Sequence, residues 1–193
     1  MEVSILFHTV KQKDTMKKSI LTTLLILLLL LNSNSANATK YAWWVNIEYE
    51  PAKTEILKIP ISDLDADWVF AEPLSIEAVP PEDLQVFKRD TAALGYSFTK
   101  QGDFNLDGSQ DKAIVGVYKE KNGAVGRFLL ILTESENKKW IKFSLLKNPG
   151  KAGFSILSID NGTLAWFFCM ECDAFSLIKW ERGKYILVPF DCC

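Results

Sequence analysis

Between residues 103 and 111 the chain reads Asp-Phe-Asn-Leu-Asp-Gly-Ser-Gln-Asp, with oxygen-bearing side chains at the first, third, fifth and ninth positions. Hard cations such as calcium take about six to eight oxygen ligands, and short Asp and Asn side chains on alternate residues can wrap one ion. Gly108, at position six, permits the sharp turn that brings the Ser109 carbonyl inward. Acidic groups packed this closely repel one another unless a cation lies among them. Position twelve is Ile114, where an EF-hand would need a bidentate Glu, and the residues that follow are strand-like. The loop is therefore of another kind.

A second set of reactive residues closes the chain. Cys169 and Cys172 form a Cys-x-x-Cys pair, and Cys192 and Cys193 are the last two residues. An even count in an exported chain favours disulfides. If Arg182-Gly183 is a two-residue hairpin turn, Glu181 faces Lys184 and Cys172 lies opposite Cys193, with Cys192 one step away. That register brings both pairs together as two bridges stapling the C-terminal tail, with three connectivities open.

The missing residue type matters as much. The single histidine is His8, inside a segment that reads as an export signal. Without imidazole, Ser–His–Asp triads, Cys–His dyads and His-ligated zinc are excluded, whereas carboxylate-only chemistry of the glycosidase kind is not. A solvated acidic loop is read at Asp63, Asp65 and Asp67, which alternate like the later loop but lack its glycine and its final ligand.

The signal reading rests on Lys17 and Lys18, an apolar run over 20–31, and Ala36-Asn37-Ala38 as a peptidase site. Residues 1–38 are thus expected to be removed. Met16 reads as the natural start, which makes 1–15 a start-site artefact. The product, 39–193, is expected to be one domain, periplasmic or secreted, with no stable membrane anchor. Of the 22 basic and 24 acidic residues, four and two fall in the first 38, leaving a net charge of −4 on the remainder. Mild acidity gives no electrostatic reason to bind nucleic acid.

These residues need elements to hold them. Runs over 112–119, 124–133, 140–147, 154–159, 163–170, 174–180 and 184–190 are separated by turns containing Gly or Asn, the pattern of short antiparallel strands. Two more strands are predicted over 43–49 and 54–61. One helix is predicted over 81–94, with Leu84, Phe87, Thr91 and Leu94 on its inner face and Gly95 closing it. The fold class is mainly β, an antiparallel meander (a sandwich or partly open barrel) with one covering α-helix.

The unit Gly102-Asp103-Phe104-Asn105-Leu106-Asp107-Gly108-x-x-Asp111, running into Ala113-Ile114-Val115-Gly116-Val117, resembles the calcium loop of FG-GAP repeats, found in integrin α-chain propellers. The resemblance covers about fifteen residues and occurs once, so it implies a β–loop–β unit rather than a propeller. It implies calcium held by Asp103, Asn105, Asp107, Asp111 and the carbonyl of Ser109, in a structural role. The expected function is binding: an exported, calcium-stabilised module contacting a protein or envelope component, of inhibitor or immunity type. Trp43-Trp44 is the candidate exposed patch, because neighbours on a strand face opposite ways. The competing class is a carboxylate-dependent hydrolase of glycan or peptidoglycan, with two facing carboxyls away from the loop.

Overall fold

The computed structural model describes residues 42–160, 162–171 and 175–190. The compact unit that holds the candidate residues begins at Trp43. It is mainly β and antiparallel throughout, with three sheets that do not close into a barrel. The expected cleavage segment, Asp173 and three of the four cysteines lie outside the described residues.

The largest sheet is built on two long hairpins. Strand β5 (Asp111–Glu120) pairs with β6 (Val125–Glu134), which pairs with β7 (Trp140–Pro149). The other edge of β5 is shared. β3 (Trp68–Pro73) lines its C-terminal half and β4 (Thr99–Gly102) its N-terminal half. A four-stranded meander follows: β8 (Ile156–Asp160), β9 (Thr163–Phe167), β10 (Phe175–Glu181) and β11 (Lys184–Phe190). Glu181 pairs with Lys184 and Phe175 with Phe190, the register expected from the Arg182-Gly183 turn.

Strand β5 is buried on both sides, which explains its near-continuous apolar sequence. On one face Ile114, Tyr118, Phe128, Leu130 and Leu132 pack with Ile56, Ile61, Leu64, Trp68 and Ala71. On the other, Ala113, Val115, Val117, Leu129 and Ile131 are fully shielded, as are Phe154, Ile156, Leu157 and Trp166 in and before the second sheet. A sheet buried on both faces needs a layer on each. Here the layers are the N-terminal segment and the second sheet.

Several expectations for the N-terminal third are corrected. Residues 43–49 form no strand; Trp43–Asn46 is a short helix, α1. The helical turn lets both indoles pack. Trp44 is buried, and Trp43 sits edge-on to Phe87 and Phe154 at 6.0 and 5.3 Å, so the pair is not an exposed patch. The strand expected over 54–61 is instead a tight hairpin of β1 (Glu55–Ile56) and β2 (Ile59–Pro60), turning at Leu57 and Lys58. It runs straight into α2 (Ile61–Leu64). Strands β3 and β4 were not expected. The covering helix α3 (Leu84–Leu94) starts three residues late, because Pro80–Asp83 first makes a turn. Gly95 closes it at φ 64°, as expected. Of the expected inner face only Phe87 is buried, stacked on Phe98; Leu94 is half exposed.

Gly116 shows how tightly the first face is filled. A Cβ there would lie 2.3 Å from the Phe128 ring and 2.5 Å from the Glu72 carbonyl, which belongs to the paired backbone of β3. Only a residue without a side chain lets Phe128 lie across the strand. Gly116→Ala is expected to lower unfolding stability in urea by about 2 kcal/mol or more, since paired backbone cannot step aside. Stability within 0.5 kcal/mol of the parent (roughly the scatter of a neutral surface change) contradicts this packing.

Candidate metal centre

The 103–111 loop joins β4 to β5, so two paired strands fix both its ends. Within it the side chains turn back on the loop's own backbone. Asp103 accepts from the N–H groups of Asp107 at 3.1 Å and Gly108 at 2.8 Å. Asn105 Oδ1 accepts from Asp107 N at 3.2 Å, and Asp107 Oδ1 from Ser109 N at 2.7 Å, two successive Asx turns. Asn105 Nδ2 also donates to Asp107 Oδ2 at 2.8 Å. Holding Asn105 and Asp107 inward forces Leu106 to φ 59° and Gly108 to φ 86°. For Leu that conformation is unfavourable by about 1–2 kcal/mol. Its side chain is 89% exposed at the loop tip.

Asp111, the first residue of β5, is fully buried. Its Oδ2 accepts from Phe104 N at 3.0 Å and from the Tyr185 hydroxyl of β11 at 3.2 Å. Its Oδ1 has no hydrogen-bond partner. Burial pushes the Asp111 carboxyl up, against the pull of these donors and of its cross-strand neighbour Thr133. The Tyr185 phenol is pushed up as well, first by burial and then by the charges of Asp111, Asp107 and Asp103. Asp107, at the surface, is held low, chiefly by the Ser109 N–H.

The residues fit a hard cation in one definite respect. A buried carboxylate oxygen without a donor is unfavourable, and an ion is the partner that this donor set would favour. The other oxygens are not used up, since a carboxylate offers about four lone-pair sites and each N–H occupies one. Among the described residues, though, no three His, Cys, Asp or Glu side chains converge closely enough to form a cage as they stand. Asp103 and Asp107 are turned toward the backbone instead.

The other expected sites separate clearly. Asp65 of the Asp63–Asp67 run pairs with Lys147 Nζ at 2.8 Å and accepts from Asp67 N at 3.0 Å. Lys142 donates to the Leu64 carbonyl and Lys121 to the Ala66 carbonyl. Asp63 and Asp67 are exposed, as a solvated acidic loop requires, while lysines from the large sheet and the turn after β5 hold Asp65 and the backbone between them. Cys169 is buried just past β9. Cys172, Cys192 and Cys193 lie outside the described residues.

Two clefts flank Asp103. One, of about 530 Å³, is lined by Gly108 to Gln110 together with Glu134, Ser135, Glu136 and Lys138. The other, of about 320 Å³, lies between residues 103–106 and β9 and β10, with Trp180 in its wall. Tyr185, 74 residues from Asp111, had not been expected at this site; only the pairing of the two sheets brings it there. No family model, curated protein or solved structure matches this chain.

Replacing Asp111 by Asn removes a charge that folding has to bury. In chelator at neutral pH the variant should be at least as stable as the parent. The sign follows from the raised carboxyl. Folding takes up a proton, so the parent is at its best below the unfolded carboxyl value and loses ground as pH rises to the folded one. Melts in chelator from about pH 3 to 7 read the gap. A variant less stable than the parent at the upper end contradicts an uncompensated Asp111 charge.

Proposed function

We propose that the mature chain is an exported binding module whose fold is stabilised by calcium in the 103–111 loop. The observation that carries this reading is Asp111, buried at the end of a loop already curled by its own side chains, with no donor aligned on its Oδ1. Asp103, Asn105, Asp107, Asp111 and the Ser109 carbonyl would hold the ion, which neutralises charge and ties β4 to β5 and, through Asp111, to β11. The partner is a protein or envelope component. The exposed apolar residues lie away from Trp43-Trp44: Leu106 at the loop tip, and Ile141 and Phe143 on β7, 50% and 37% exposed. No helix among the described residues is long and apolar enough to cross a membrane.

The hydrolase reading requires two facing carboxyls apart from the loop. Two clefts among the described residues adjoin Asp103, and another, beneath α3, has Glu77 as its acidic lining residue. No observation favours that alternative. Two disulfides among Cys169, Cys172, Cys192 and Cys193 complete the proposal, binding the end of β11 to the chain beyond β9.

Calcium at a hundredfold excess over Kd should add about 2.7 kcal/mol, or roughly 5–10 °C in Tm for a domain of this size. Asp103→Ala should lose that gain. Equal melting curves in calcium and in chelator would remove the metal from the proposal. Thiol titration of the unfolded, unreduced protein should find no free cysteine; four reactive thiols would rule out the staple.

A further inference from the structure

Arg127 is the one charged residue that β6 turns toward the second sheet. It lies opposite Val117 and in line with Leu129 and Ile131, all fully shielded. Its buried Nε has no hydrogen-bond partner, and the guanidinium forms no ion pair among the described residues. Burial keeps its pKa below the ordinary arginine value. Glu48, whose backbone pairs with Gly153, turns to Lys151 at 3.8 Å instead. The guanidinium is nevertheless held in place. The Phe168 ring lies 5.3 Å from its Cζ, and Gly153 makes room for Nη2, where a Cβ would come within 2.7 Å. Gly153 has no left-handed φ, so its missing side chain provides space and not a turn. Two more donors on the facing sheet lack acceptors. Ser155 and Trp166 are fully buried, and neither Ser155 Oγ nor Trp166 Nε1 has a partner. The Trp166 ring is 4.9 Å from the Phe168 ring. The β8–β9 register, carried one pair past Ile156 and Phe167, sets Ser155 opposite Phe168. Guanidinium, hydroxyl and indole thus border one ring.

We propose that Arg127, Ser155 and Trp166 form an anion site between the two sheets, which takes a carboxylate group. Donors gathered without an acceptor require one, because buried charges and buried polar groups are paired in folded proteins. One guanidinium balances one negative charge, and its planar fork matches the two oxygens of a carboxylate. The hydroxyl and the indole N–H add neutral donors to the same acceptor. Arg127 as a whole is only part buried, so the outer end of its fork is open to a ligand. The carboxylate belongs to a free small acid or to an acidic side chain of the bound partner. The site shares no residue with the 103–111 loop and stands or falls without calcium.

Melts in acetate and in chloride at equal ionic strength separate a carboxylate site from a salt effect. At about tenfold excess over Kd, acetate should raise the parent Tm by about 3–6 °C over chloride. The Trp166 indole N–H resonance should shift along the same binding curve. Arg127→Lys keeps the charge without the fork and should weaken acetate binding about tenfold. Arg127→Met removes a charge that has no acceptor among the described residues. In chloride its Tm should equal or exceed that of the parent, and acetate should not move it. A short peptide with one Glu tells the two sources apart. Binding tighter than that of acetate assigns the site to a partner's side chain, and binding no tighter assigns it to a free acid. A parent Tm that acetate leaves unchanged overturns the site. So does Arg127→Met melting below the parent in chloride, because the guanidinium would then already have its anion within the chain. The parent melts need no substitution, so a variant that fails to fold does not block the test.

Discussion

A carboxylate taken wholly out of water has to be matched by its surroundings, and Asp111 is matched on one oxygen only. Oδ2 has a backbone N–H and a phenol, Thr133 lies alongside the carboxyl, and Oδ1 has no aligned donor. Neutralising it by protonation is the response available at low pH, and its raised carboxyl moves in that direction. Near neutral pH a cation at the loop, as proposed, would serve the same end. The position of this residue gives the imbalance its reach. Asp111 opens the strand that carries β4 on one edge and β6 on the other, and its side chain meets β11.

The rest of the sheet makes that position rigid. Strand β5 is covered on both faces and flanked by partners along its length, so Asp111 cannot relax by moving the strand. Relaxation has to come from the loop or from β11. The loop already holds a left-handed Leu106. Such strain persists where the surroundings over-determine it. Here a paired strand at each end and the Asx turns between them do so.

What could be read from the sequence follows the range of the forces involved. The hairpins of the C-terminal two-thirds are local: turn residues set the register, and Glu181 against Lys184 fixed the pairing of every described residue of β10 and β11. The loop is local too, because Asp103, Asn105, Asp107 and Gly108 form its turns among themselves. The N-terminal third failed because its shape is dictated from a distance. Trp43-Trp44 alternates poorly as a strand but packs well as a turn of helix against Phe87 and Phe154, residues far along the chain. Strand β4, Thr99 to Gly102, has little strand character of its own and exists because β5 has a free edge to fill. Tyr185 carried no signal. Its role depends on how two sheets meet, and no window of sequence contains that.

The two acidic runs make the same point from the side of charge. Asp63-Leu64-Asp65-Ala66-Asp67 and Asp103-Phe104-Asn105-Leu106-Asp107 share an alternation of oxygen side chains, yet they meet different neighbours. The first lies where β7 and the turn after β5 present Lys147, Lys142 and Lys121, which meet the Asp65 carboxylate and the carbonyls of Leu64 and Ala66. Lys147 is held protonated by Asp65 and Glu120 in turn. The second run has no such answer. Asp103, Asp107 and Asp111 form no salt bridge among the described residues, and the nearby Lys138 is paired with Glu134. Spacing alone therefore does not distinguish an ion-binding loop from a clamped one. What sets the second run apart is Gly108, which lets it close on itself, and the absence of a salt bridge to it among the described residues.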